Sequence, residues 1–136
     1  MASKPDSQQT LLVQAQRVQL NAHAPYSHFQ VGAALVDEAG NTFAGCNVEN
    51  AAYPLGQCAE ANAIGAMVAA GGKAIREVLI ASPNTQVCPP CGGCRQKIAE
   101  FANADTMVHL ATCDGHITTM PIAELLPLSF KLTPLA

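Results

Sequence analysis

The stretch Cys58-Ala59-Glu60-Ala61-Asn62-Ala63-Ile64-Gly65-Ala66-Met67-Val68-Ala69-Ala70-Gly71-Gly72 carries no charge after Glu60. Its composition predicts a helix from Cys58 to about Ala70, stopped by the paired glycines. A helix that is apolar on nearly every side has to be buried on nearly every side. This reading places a central helix inside the protein, with Cys58 and Glu60 at its start.

The flanks supply a sheet for that helix to lie against. Upstream, Val31-Gly32-Ala33-Ala34-Leu35-Val36 and the segment Thr42 to Val48 read as two strands, joined by the turn chemistry of Asp37-Glu38-Ala39-Gly40-Asn41. Downstream, Glu77-Val78-Leu79-Ile80-Ala81-Ser82 is a nearly continuous apolar run, the pattern of an interior strand. Pro89-Pro90 opens a further helix from Cys91 to about Ala102. Thr106 to Ala111 alternates as a strand, Asp114-Gly115 turns the chain, His116 to Met120 returns, and Pro121 to Leu126 is a last short helix ended by Pro127. At the other end, Asp6 or Ser7 can cap a helix to about Ala22, with Leu11, Leu12, Ala15, Val18 and Leu20 on its apolar side. The expected fold is α/β, a three-layer α-β-α arrangement with a mixed, roughly five-stranded sheet, in one domain over residues 1–136.

Only 12% of the 136 residues are charged, whereas 49% are hydrophobic. That is about half the usual charged fraction. So few charges do not cover an isolated globule, and part of the surface is expected to be buried against sister subunits. Every apolar run is interrupted before it could span a bilayer. The segment Met1 to Gln9 is polar, unlike a signal or transit peptide, so the expected compartment is the cytoplasm. There, six cysteines are ligands or packed thiols rather than disulfides. A net charge of −3 with no basic cluster argues against nucleic acid or a membrane surface as partner.

The chemistry sits in Cys58-Ala59-Glu60 and Pro90-Cys91-Gly92-Gly93-Cys94. A C-x-x-C opening a helix is a zinc half-site or a thioredoxin-type redox pair, and a third sulfur at another helix start favours zinc. Three thiolates on Zn²⁺ carry a net charge of −1, which two helix N-termini offset and which Arg95 is placed to offset as well. Three ligands leave a coordination position for water, and Glu60 is close enough to contact that water without being a ligand. Asn47 and Glu49 share one side of a strand end, an amide and a carboxylate that suit a hydroxyl-bearing ligand or simply face solvent. Cys46 and Cys113 read as packed thiols, and Met107 and Met120 as core. Cys88 precedes two prolines and is expected to lead away from the metal. The histidines show no ligand spacing.

Cys58-Ala59-Glu60 followed by Pro90-Cys91-Gly92-Gly93-Cys94-Arg95-Gln96 resembles the short, homotetrameric zinc-dependent cytidine deaminases, the Cys₃ zinc variant of the cytidine and deoxycytidylate deaminase superfamily. The likeness extends through Pro25-Tyr26-Ser27-His28-Phe29, Gly45-Cys46-Asn47-Val48-Glu49-Asn50-Ala51, Tyr53-Pro54-Leu55-Gly56 and Glu124-Leu125-Leu126-Pro127. It implies one Zn²⁺ per subunit on Cys58, Cys91 and Cys94. It implies hydrolytic deamination of cytidine and 2′-deoxycytidine at C4 in pyrimidine salvage, with Glu60 shuttling protons from water to N3 and to the departing ammonia. The Ala59 N–H would bind the base, Phe29 would stack on it, Asn47 and Glu49 would hold the ribose 3′-hydroxyl, and Tyr53 and Phe130 would close a neighbouring subunit's pocket. Relatives usually carry Arg after the C-A-E, where Ala61 stands here. The missing donor predicts a more electron-rich zinc and activity that rises at higher pH. Two other readings compete: a deaminase for another aminopyrimidine nucleoside such as blasticidin S, and a zinc-stabilised binding module with Cys88 as fourth ligand.

Overall fold

The computed structural model describes residues 5–135. Helix α1 (Pro5–Gln19) leads to strands β1 (Gly32–Asp37) and β2 (Thr42–Cys46), then α2 (Ala59–Ala69), β3 (Ile75–Ala81), α3 (Gly92–Glu100), β4 (Met107–Ala111), β5 (Ile117–Pro121) and the short α4 (Ile122–Leu125). The strands form one sheet in the order β2-β1-β3-β4-β5. Among these five strands only the β3–β4 pair is parallel, and α3 makes its crossover. The expected mixed, five-stranded, three-layer fold is what forms. Asp6 and Ser7 lie inside the first turn of α1 rather than before it.

The β1–β2 hairpin follows from the chemistry of its turn. Asp37, 2% exposed, accepts hydrogen bonds on Oδ1 from the N–H groups of Ala39 (3.0 Å) and Asn41 (2.8 Å). Gly40 takes the left-handed φ of +88° that closes the loop. The register this sets, Ala34 opposite Ala44 and Leu35 opposite Phe43, sends alternate residues to opposite faces.

Two apolar cores result, one on each face. On one side Leu11, Leu12 and Ala15 of α1 pack on Ala34, Leu79, Ala81 and Ala111. Burying each leucine contributes about 1.5–3 kcal/mol, which fixes α1 across the sheet. On the other side Ala59, Ala63 and Met67 of α2 and Ile98 of α3 pack on Leu35, Val78, Ile80, Val108 and Leu110. Gly45 lets β2 approach α2 closely, because a Cβ there would lie 2.5 Å from the Ala63 nitrogen and 2.9 Å from the Ala59 oxygen. The start of α2 is therefore positioned by backbone-to-backbone proximity as well as by its apolar face.

Helix α2 departs from the expectation of burial all round. Within one chain it buries Ala59, Glu60, Ala63, Ile64 and Met67, while Gly65, Ala66, Val68 and Ala69 face outward. The helix lies on the sheet with an apolar back that its own chain does not cover. Cys113 is exposed rather than packed, and Cys46 is half-buried. His109, fully buried in β4, bonds through Nδ1 to Thr119 Oγ1 (2.7 Å) and through Nε2 to Glu77 Oε1 (2.8 Å), tying β3, β4 and β5 together by side chains.

Candidate active site

Cys58 and Cys91 are the N-cap residues of α2 and α3, with extended backbones (φ −76°, ψ 155° and φ −63°, ψ 164°) that turn their sulfurs toward each other. Cys94 lies in the first turn of α3 and is buried. The three Sγ atoms lie within 4.8 Å of one another, with Cys58 and Cys91 4.0 Å apart. Among the described residues this is the one group of three or more Cys, His, Asp or Glu arranged to hold a metal. Three soft sulfurs converging at two helix N-termini fit Zn²⁺: thiolates suit the ion and both dipoles offset their charge.

The surroundings of the three sulfurs favour ionisation at one position, Cys58. Hydrogen bonding from Cys94, with a further bond from Cys91 and the charge of Lys97, outweighs burial and brings the Cys58 thiol down to about 6. The Cys94 thiol is correspondingly pushed up, by donating its S–H in a hydrogen bond to the Cys58 sulfur and by burial. The cation acting on Cys58 is Lys97. Arg95, expected to serve there, spends its guanidinium on the backbone carbonyls of Pro90 (2.9 Å) and Leu125 (3.0 Å), pinning α4 to the metal-binding loop.

Glu60, in the first turn of α2, is 5% exposed and lies outside the sulfur cluster. Burial raises its carboxyl pKa above the ordinary value, with the nearby Cys58 charge adding to the shift. A carboxyl poised in this way can hold a proton and give it up. It lines a cavity of about 280 Å³ together with Phe29, Asn47, Cys58, Ala59 and Cys91. Ala59, first residue of α2, brings one of the backbone N–H groups that a helix leaves without an internal acceptor. Val31, Ile80 and Pro89 make an apolar wall suited to a flat ring.

The cavity gathers most, not all, of the residues the sequence pointed to. Glu49 and Tyr53 line an adjoining pocket with Tyr26 and Ser27. Phe130 lines neither; on the C-terminal segment, 70% exposed, it borders a separate groove with Ile122 and Leu126. Asn47 and Glu49 both grip the 26–31 segment. Asn47 Oδ1 accepts from the Val31 N–H (2.9 Å) while its Nδ2 donates to the Phe29 carbonyl (2.8 Å). Glu49 accepts from the N–H groups of Tyr26 (3.0 Å) and Ser27 (3.2 Å) and from the Ser27 hydroxyl. Cys88 does not lead away from the site. It lies on the cavity wall, yet outside the sulfur cluster, so it is no fourth ligand. Ser82, buried at the end of β3, also reaches the cavity, and no motif in the sequence singled it out.

A fold of this topology carrying this site matches the model of the cytidine and deoxycytidylate deaminase zinc-binding region over residues 5–110, and the chain belongs to that family. Several relatives of the chain are cytidine deaminases. The cytidine deaminase of Halalkalibacterium halodurans is 39% identical over 122 residues, 90% of this chain and 92% of the relative. That of Sporosarcina psychrophila is 38% identical, with 89% of each covered. The crystal structure of cytidine deaminase from Burkholderia pseudomallei superposes with a TM-score of 0.85 at 37% identity, covering 90% of this chain and 98% of that one.

Proposed function

We propose that the chain converts cytidine and 2′-deoxycytidine, with water, to uridine and 2′-deoxyuridine and ammonia, as a step of pyrimidine salvage in the cytoplasm. The observation that carries this reading is a buried Glu60, its carboxyl pKa raised by that burial, in a nucleoside-sized cavity beside the three-sulfur cluster but not in it. Zinc held by Cys58, Cys91 and Cys94 would supply an acidified water. Glu60 would carry both protons of the attacking water in turn, the first to ring N3 and the second, from the hydroxyl left on C4, to the departing amino group, so that the C4–N bond breaks, the C4 carbonyl forms and ammonia leaves. The Ala59 N–H holds the base, and Phe29 stacks on its face.

The sugar is held by what Asn47 and Glu49 have left over. The Asn47 amide keeps one Nδ2 hydrogen beyond its bond to Phe29, and the Glu49 carboxylate keeps about one of its four acceptor positions beyond its bonds to Tyr26 and Ser27. One donor and one acceptor match one ribose hydroxyl. We take the working form to be a homotetramer in which Tyr53 and Phe130 close neighbouring pockets. The exposed apolar back of α2, the 76% exposure of Tyr53 and the low charge content support that assembly.

Absorbance-monitored conversion of cytidine by the purified protein, with and without a chelator, tests the reaction. Uridine formed at a rate abolished by chelation and restored by zinc is the expected result; no uridine from either nucleoside overturns it. Sedimentation that returns a stable monomer overturns the assembly.

A further inference from the structure

We propose that Gln96 is a positioning residue for Phe130, and that through Phe130 it acts on the active site of a second copy of this chain rather than on its own. The inference rests on the reading above that Phe130 closes a neighbour's pocket. Gln96 lies on α3, two residues beyond Cys94, with its side chain half-buried. Its Nε2 donates to the Phe130 carbonyl (2.9 Å) and its Oε1 accepts the Phe130 N–H (3.0 Å). One amide side chain thus makes both bonds that a neighbouring strand would make, across 34 residues of sequence.

What the clamp holds is not part of the chain's own core. Residues 127–135 form no helix or strand, and Leu128, Phe130 and Leu132 are 92%, 70% and 78% exposed. Phe130 borders a groove of its own chain with Ile122 and Leu126, but most of it is left in water, so its own fold uses little of the ring's apolar area. Phe130 does not line the cavity of its own chain. The clamp therefore holds a largely exposed ring ready for a surface that comes to it. Because the clamp springs from the helix that begins at Cys91, the ring offered to a neighbour is registered to the first chain's metal-ligand scaffold. An unclamped tail would have to be ordered on each contact, at an entropy cost that appears as weaker substrate binding rather than slower chemistry.

The test compares Gln96→Ala and Phe130→Ala in steady-state kinetics with cytidine at one protein concentration, with sedimentation to check assembly. Both variants are expected to raise KM by roughly three- to tenfold, the loss of one aromatic contact, with kcat within about twofold. Gln96→Ala subunits are then exchanged with an excess of Glu60→Gln subunits. These are inactive themselves but carry an intact clamp. KM should return to the parent value, whereas exchange with Glu60→Gln/Gln96→Ala subunits should leave it raised. A parent-like KM for Gln96→Ala beside a raised KM for Phe130→Ala overturns the role of Gln96 alone. A parent-like KM for Phe130→Ala overturns the pocket-closing reading and this inference with it. A raised KM that mixing does not restore overturns action on a second copy. If Gln96→Ala fails to assemble, Gln96→Glu, which keeps the acceptor and loses the donor, enters the same experiment.

Discussion

Replacing Asn47 by alanine should cost stability first and substrate affinity second. The resemblance assigns Asn47 to the sugar, but its two hydrogen bonds run to the backbone of Val31 and Phe29. Alanine leaves one N–H and one carbonyl without those partners in a half-buried setting. Each such group costs about 1–3 kcal/mol when water cannot replace the bond, and partial access reduces that, for a total of about 2–3 kcal/mol. In a domain of this length 1 kcal/mol moves the melting temperature by about 3–5 °C, so a fall of about 6–15 °C is expected. The assay is thermal unfolding followed by circular dichroism at one protein and one zinc concentration, since assembly and metal both shift the midpoint. KM for cytidine should rise in the same variant because Phe29 loses its anchor. A melting temperature within about 2 °C of the parent would show that the 29–31 segment holds itself, and the clamp reasoning would fail.

Other sites give independent expectations. Gly45→Ala places a methyl against the backbone of α2, so it should destabilise by about 1–3 kcal/mol and weaken zinc retention, read by metal content after dialysis; a variant with parent stability and metal contradicts the close approach. His109→Leu should cost about 3 kcal/mol by leaving Glu77 buried without its partner, and adding Glu77→Leu should recover part of that loss; a double variant less stable than the single one counts against this account. The Ser27 hydroxyl, with the N–H groups of Tyr26 and Ser27, holds the Glu49 carboxyl below its ordinary value of 4.5. A depressed folded pKa gives stability that is present above the unfolded value and lost as pH falls through the folded one. Hydrogen exchange at the Tyr26 and Ser27 amides, corrected for intrinsic rates, should therefore lose protection as pH drops below about 4.5. Glu49→Gln should lack that step, and a step retained in Glu49→Gln assigns it elsewhere.

What could be read from the sequence was what is local. Cys58, Cys91 and Cys94 are legible because an N-cap and the residue three further on face one point in any helix, and Glu60 is legible because it sits in the same turn. The hairpin is legible because Asp37 and Gly40 fit only a few turns. The errors came where a local pattern met long-range packing. A charge-free helix signals burial but not by whom, and Gly65, Ala66, Val68 and Ala69 find no cover in their own chain. The prolines after Cys88 dictate an extended backbone but not which wall it follows. The backbone clamp on Phe130 spans 34 residues between a glutamine and a tail without periodic pattern, so no spacing announces it. His109 likewise looks like any polar residue in an alternating strand until Glu77 and Thr119 close on both its nitrogens.

The central claim is that Glu60 moves protons at a metal it does not bind. Glu60→Gln, purified with zinc, measures this directly through metal content and the rate of uridine formation on one sample. One zinc per chain with turnover reduced by about a hundredfold or more is the predicted result, the scale of a lost general acid–base group. Parent-like turnover would contradict the claim, as would loss of zinc with the substitution, which would make Glu60 a ligand.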